Sequence, residues 1–404
     1  MRDRPRILSL SISFPNPNDP MSGVFVRSRL EHMARAAEIR VLAPIAVTDY
    51  GSLLHKRPAA APVPRQRRDH GLEVLHPRWA YPPLGTFLNA FCLFLCLVRP
   101  VGRLRREFPF QVIDAHFGHP AGVAAALLGA FFHCPFVVTL RGDEVVHACH
   151  RLRRFWMGWA LRRASRVITV SERLRQFALS LGVAAERTRT IPNGVDTSVF
   201  FPRAGAESRG KHGIPVDARV VVSAGALIEL KGHHRTIRAV KALRDQGIRA
   251  QLLVVGPPAR GSTYDSTIRS LISELGMQTD VRLLGHVTQP ELAELMSAAD
   301  VLCLASSREG WPNVIQEALS CGTPVVATDV GAVPNMIPAS RYGLVVPVDD
   351  QAALTNGLRQ ALSTEWDRQA IALWGQSRSW DQVALEVLQV LEQVLTEPRK
   401  GRNR

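Results

Sequence analysis

The sequence predicts an α/β protein made twice over, with two parallel sheets that each carry helices on both faces. Three observations predict it. Both halves of the chain alternate short apolar runs with helix-like segments. The alternation breaks at Pro192-Asn193-Gly194 and restarts near residue 220. The chain of 404 residues is also too long for one ordinary core. Its 46% apolar and 21% charged residues are those of a globular protein and exclude a disordered one.

The elements follow in order. Residues 7–13 read as the first strand, 26–37 as a helix and 39–43 as the second strand. Residues 46–70 are rich in proline, alanine and arginine and read as a long loop. The apolar stretch 84–98 falls short of the roughly 20 residues that span a bilayer. Prolines and Arg99 bound it, so a buried or interfacial helix is expected. Strands are expected at 112–116, 136–140 and 167–170, with helices at 120–132, 151–164 and 172–181. Residues 201–218 carry the glycine, proline and charge of a linker. In the second half, strands are expected at 220–224, 251–255, 281–284, 301–305, 324–328 and 343–346, with helices between them. A final helix is expected near 380–396, before a basic tail at 398–404. This divides the chain into a domain at 1–195, a linker at 196–218, a domain at 219–375, and a helix with tail at 376–404.

The formal net charge is +15, and most of the excess lies in the first half. Arg151, Arg153, Arg154, Arg162, Arg163 and Arg166 are interleaved with Phe155, Trp156, Met157 and Trp159. Such a surface suits nucleic acid, an anionic bilayer, or solvent alone with the aromatics in the core. No nucleic-acid-binding motif is apparent, so peripheral contact with an anionic membrane is favoured over nucleic acid. The six cysteines lack paired spacing, which argues against a zinc site and a disulfide framework. No signal peptide is visible. A cytoplasmic protein is expected, on the inner face of the plasma membrane where it meets lipid.

Glu309 and Glu317 carry the clearest chemistry. Residues 299–306 read as a buried strand, a polar loop with Gly310 and Pro312 follows, and Asn313 opens a helix. In open parallel sheets ligands sit beyond the carboxyl ends of the strands. Glu309 lies there, and Glu317 is deeper, in the helix. Carboxylates accept hydrogen bonds from sugar hydroxyls, and the exposed N–H groups of a helix start suit phosphate. Together they suit a sugar nucleotide.

The segment from Glu309 to Glu317 resembles the Glu-x7-Glu signature of family 4 glycosyltransferases. Four further blocks resemble that family in the same order: FPNPNDPMSGVFV at 14–26, VTLRGDE at 138–144, IPNGVDTSVFFP at 191–202 and SAGALIELKGHH at 223–234. The resemblance implies a GT-B fold, two Rossmann-like parallel-sheet domains facing each other across a cleft. It also implies a retaining transferase of the bacterial polysaccharide or lipid-glycan kind. The expected reaction moves a hexose from a UDP- or GDP-sugar to a lipid-linked or polysaccharide acceptor.

By resemblance, Lys231 contacts the donor diphosphate, where negative charge develops. The family arginine of this loop is replaced by Ala226, which leaves three expectations: Arg235 substitutes, a helix start substitutes, or Lys231 acts alone. Gly23 would let backbone N–H groups approach the phosphate. Glu309 would hold donor-sugar hydroxyls, Glu317 the ribose, and Asn313 and Val314 the diphosphate, with Gly310 a further donor-binding residue. Arg141 stands where many relatives have histidine, next to Gly142 and Asp143. It cannot act as a base, but would bind a phosphate or an acidic acceptor. His116, His119 and Asp143 are expected at the acceptor. Arg141 and His119 join Lys231 and Glu309 as catalytic candidates. No side chain stands out as a covalent nucleophile, and no Asp-x-Asp pair suits Mg²⁺, so neither a metal nor a cofactor is expected. The alternatives are a sugar-nucleotide epimerase of the same architecture and a non-catalytic sugar-binding protein.

Overall fold

A computed structural model describes residues 4–47, 63–81, 88–258 and 262–397. The chain forms two compact units, Met1–Asn193 with Trp380–Arg404, and Gly194–Ser379.

The first unit is built on an eight-stranded sheet. Its order is Thr188–Thr190, Arg166–Thr169, Phe136–Leu140, Val112–His116, Arg6–Leu10, Glu38–Leu42, Leu72–Leu75 and Gln66–Asp69. Every pairing is parallel except the last. Val112–His116 and Phe136–Leu140 are buried along their whole length, as strands covered on both faces must be. The C-terminal helix Trp380–Thr396 buries Trp380, Val383, Ala384, Val387, Leu388, Val390, Leu391 and Val394. This helical stripe joins the core formed by Val26, Leu30 and Met33 of helix Val24–Met33.

Two expectations in this unit need correction. Residues 48–62 of the loop expected at 46–70 lie outside the described residues. The end of that segment is not loop: Gln66–Asp69 is an edge strand, paired antiparallel with Leu72–Leu75. His70 and Gly71 both have positive φ, 47° and 78°, as a two-residue hairpin turn demands. The apolar stretch expected to stop at Pro100 runs on as helix Asn89–Glu107. Proline removes one backbone hydrogen bond there. The buried row Leu93, Leu97, Val101 and Leu104 continues straight through it and holds the helix. Residues 84–87 of that stretch are outside the described residues.

The second unit has a six-stranded, all-parallel sheet. Its order is Val281–Gly285, Gln251–Val255, Val220–Ala224, Val301–Leu304, Val325–Thr328 and Gly343–Val346. Numbered along the unit this is 3-2-1-4-5-6, the dinucleotide-binding order, with its crevice between the first and fourth strands. Residues 196–218 lie in this unit and include the helix Gly205–Lys211. Among the described residues no helix is long and apolar enough to cross a membrane, and all six cysteines carry free thiols.

Candidate functional site

In the second unit the two strands at the switch point, Val220–Ala224 and Val301–Leu304, deliver the residues that the sequence singles out. Beyond the first, Gly225 and the short helix Glu229–Lys231 carry Lys231. Beyond the second come Ser306 and Glu309. Lys231 Nζ donates to Glu309 Oε1 at 2.7 Å, and Ser306 Oγ donates to the same oxygen at 2.7 Å. The structure thus joins two residues 78 positions apart. The Lys231 stem crosses Gly225, where a Cβ would stand 3.3 Å from its methylenes.

Three backbone approaches fix these loops. Gly232 has φ +69°, and a Cβ there would fall 1.9 Å from the Ala305 carbonyl oxygen. At Gly331, with φ +53°, a Cβ would fall 2.3 Å from the Glu309 carbonyl oxygen. Ala332 N donates to Gly310 O at 3.1 Å. His233, 1% exposed, faces Ser223 Oγ at 2.9 Å and the carbonyls of Gly225 and Ala226 at 3.2 and 3.3 Å. Burial holds its imidazole down, to about 4, so it is neutral. Gly232→Ala is expected to cost at least about 2 kcal/mol, since it combines backbone strain with a clash that only loop movement relieves. A urea titration checks this; an unchanged midpoint would mean that the Gly232–Ala305 approach is not tight.

The helix Asn313–Ser320 starts directly after Pro312, so Asn313 and Val314 occupy its first turn. Gly322, with φ +77°, follows its end. Glu317 keeps part of its side chain at the surface, yet its surroundings strip water from the carboxyl and push it up to about 7. A raised carboxyl contributes stability that is full below its ordinary 4.5 and lost as pH rises through about 7. Glu317→Gln is therefore expected to melt close to the native chain at pH 5 and above it at pH 8. Parallel melting curves would show a solvated carboxyl instead. Arg235, the expected substitute for the missing arginine, donates to Ala305 O at 3.0 Å and to Asp349 Oδ1 at 2.6 Å.

The first unit has its own polar centre, in the carboxyl-end halves of Arg6–Leu10, Val112–His116 and Phe136–Leu140. Asp114 is fully buried and paired with Arg29, itself 2% exposed. Burial alone would raise the carboxyl, but the Arg29 guanidinium holds it well below the ordinary range. Arg29 Nη1 also donates to Thr139 Oγ1 at 2.9 Å. His116 is buried alongside. Its Nδ1 accepts from Arg141 Nη2 at 3.1 Å, which leaves its proton on Nε2, facing Ser9 Oγ at 3.1 Å. Burial and the nearby Arg29 hold the imidazole down, to about 3. Both of its nitrogens are thus engaged within the protein. Arg141 Nη1 reaches Asn193 Oδ1 at 3.2 Å, and its guanidinium lies over the Phe25 ring at 4.9 Å.

The carboxylate that organises the VTLRGDE loop is Glu144, not its exposed neighbour Asp143. Glu144 is buried and accepts from the backbone N–H groups of Gly118, Arg141 and Gly142, at 2.7 to 3.2 Å. Gly23 caps helix Val24–Met33 with φ +64°, and a Cβ there would stand 2.2 Å from the Ser13 carbonyl oxygen. His119 is 2% exposed, with neither ring nitrogen bonded. Sequence reasoning missed Arg29, Asp114, Glu144, Ser306 and His233. The signal for Asp114 and His116 was two polar residues inside an otherwise apolar strand. Among the described residues no three His, Cys, Asp or Glu side chains gather as a metal would need.

A doubly wound sheet with a lysine and a carboxylate at its switch point, in a chain that carries a second parallel α/β sheet, is an arrangement that suits a glycosyltransferase. Comparison with known proteins agrees. Residues 58–199 match the Glycosyltransferase Family 4 model, and residues 205–377 match the model of Glycosyl transferases group 1. The chain is a glycosyltransferase whose two halves match these two models, and it has the GT-B fold of two Rossmann-like domains. It is 26% identical over 366 residues to TuaC of Bacillus subtilis, described as a teichuronic acid biosynthesis glycosyltransferase, covering 86% of this chain and 87% of that one. It is 32% identical over 226 residues to a D-inositol 3-phosphate glycosyltransferase of Corynebacterium urealyticum, about half of each chain at 53%. In fold it is similar to sucrose-phosphate synthase of Thermosynechococcus elongatus, with a TM-score of 0.75 at 22% identity over 97% of this chain and 99% of that one.

Proposed function

We propose that this glycosyltransferase moves a hexose from a UDP- or GDP-sugar to a lipid-linked or polysaccharide acceptor, with retention of anomeric configuration. The observation that carries the reading is the Lys231–Glu309 pair at the switch point of the second sheet. The bond from the anomeric carbon to the diphosphate breaks, and a bond to the acceptor oxygen forms on the same face. The acceptor proton passes to the departing phosphate oxygen. Lys231 stabilises the charge that develops on that oxygen. Glu309 accepts from the donor-sugar hydroxyls, and Glu317 from the ribose. The N–H groups of Asn313 and Val314 face the diphosphate, and Gly310 and Gly23 are further donor-binding residues. Positioning and electrostatics suffice, with no metal. Arg141, His116, His119 and Asp143 serve the acceptor side, His116 by orienting Arg141.

The likeness to a teichuronic acid biosynthesis glycosyltransferase supports the polysaccharide side of the reading. Lipid contact is supported by helix Arg151–Arg163, where Leu152 and Phe155, 46% and 58% exposed, are interleaved with exposed Arg151 and Arg154. On this reading the enzyme works at the cytoplasmic face of the membrane. The test is a thermal-shift panel of UDP-glucose, UDP-galactose, GDP-mannose and ADP-glucose on the native chain and on Glu309→Ala. One nucleotide class should raise the melting temperature in the native chain only; no shift with any of the four would sink the donor assignment. The anomeric proton coupling of the product reports retention. Flotation with phosphatidylglycerol vesicles at low salt reports the membrane contact, and protein left in the pellet would refute it.

A further inference from the structure

A group of basic side chains in the first unit is not used by the donor chemistry. His119, buried and with both nitrogens unbonded, lies 5.2 Å from the His147 ring, centroid to centroid. His147 Nδ1 stands 3.4 Å from Arg153 Nη1 and accepts from it, so the His147 proton sits on Nε2. His147 is half-buried and His150 exposed, so the group runs from the core to the surface. Burial, then His147, Arg153 and His150, hold the His119 imidazole down, to about 3. The carboxylate that acts on His147 is the exposed Asp143. Glu144, next in the chain, accepts from backbone N–H groups instead.

An imidazole buried without a partner has lost its hydration with nothing in exchange. Here it sits among N–H donors and a guanidinium, which recognise an anion with acceptor oxygens only, and a phosphate best. We propose that His119, His147 and Arg153 form the subsite for a phosphate group carried by the sugar acceptor. The inference rests on the transferase reading above and deepens it, by naming the acceptor as phosphate-bearing. A donor diphosphate offers the same chemistry, so the test must separate the two sources.

The experiment is calorimetric titration of inorganic phosphate and pyrophosphate into the full chain at pH 7, alone and with saturating UDP or GDP. It is run on the native chain, His147→Gln and Arg153→Gln. The native chain should bind, each substitution should weaken binding about tenfold, and binding should persist beside the nucleotide. In native protein with ¹⁵N-labelled histidine, phosphate should move imidazole signals, including two that vanish in His119→Phe and His147→Gln. This spectrum tests the site even where a variant folds poorly. Absence of phosphate binding, or equal affinity in native and variant chains, overturns the proposal. Loss of phosphate binding when nucleotide is present overturns the acceptor assignment and gives the site to the donor. Nucleotide binding without phosphate binding fails this inference and leaves the transferase reading standing, whereas binding of neither nucleotide fails that reading itself.

Discussion

Lys231→Met lowers kcat about 10²–10³-fold, the loss typical of removing one preorganised group aimed at developing charge, and leaves the fold intact. The side chain is 22% exposed and ends on a carboxylate that keeps a second donor, Ser306, when the lysine is gone. No buried charge is therefore stranded. The loop backbone is held by the Gly232–Ala305 approach and by His233, neither of which needs the ammonium group. Single-turnover transfer measures the effect, and a kcat within threefold of native would remove Lys231 from the chemistry. Glu309→Gln should act mainly through donor affinity, because it keeps one acceptor for sugar hydroxyls and loses the charge that holds the lysine. Since Lys231 and Glu309 touch, the double variant should lose less than the two single losses combined.

Asp114→Asn destabilises the chain by about 3–5 kcal/mol, the cost of leaving a buried charge unmatched. Arg29 is 2% exposed, and no other carboxylate among the described residues pairs with it. Replacing both partners by apolar residues, Arg29→Met with Asp114→Leu, should recover most of the loss. Urea unfolding at pH 7 measures both, and a native-like midpoint for Asp114→Asn would show that the pair contributes nothing. The pH dependence has a definite sign. Asp114 is depressed below its ordinary 3.8, so its contribution is present above that pH and lost as pH falls through its folded value. His116 is depressed from 6.5 to about 3, so its contribution is present above 6.5 and declines as pH falls toward 3. The two act together, and the native chain should lose stability steadily from pH 6.5 downward.

Burial decides how much of this was legible in the sequence. Strands such as Val112–His116 and Val220–Ala224 are covered on both faces, so their apolar runs announce them. Gln66–Asp69 is an edge strand with charged residues, which protect an open edge and look like loop in a linear reading. Pro100 reads as a stop, but packing of Val101 and Leu104 outweighs one lost hydrogen bond. In the site, Glu309, Lys231 and Glu317 stand out because spacing and glycine context mark them. The Arg29–Asp114 pair joins residues 85 positions apart, and no local pattern tells which buried charges will meet. Glu144 was hidden by its neighbour: Asp143 and Glu144 are chemically alike, and only the turn of the backbone decides which faces inward.

The path of the chain has a consequence for how the protein is made. The second unit begins at Gly194 and ends at Ser379, and Val195 N donates to Arg378 O at 3.0 Å, so its two ends lie side by side. It is in effect an insertion within the first unit, whose last helix is Trp380–Thr396. During synthesis the second unit is complete while the first still lacks the helix that covers Val26, Leu30 and Met33. Loss of the last helix, by proteolysis or a premature stop codon, would therefore expose the core of the part translated first and spare the part translated later. A released chain that ends at Ser379 should fold its second unit yet remain a client for chaperones at its other end.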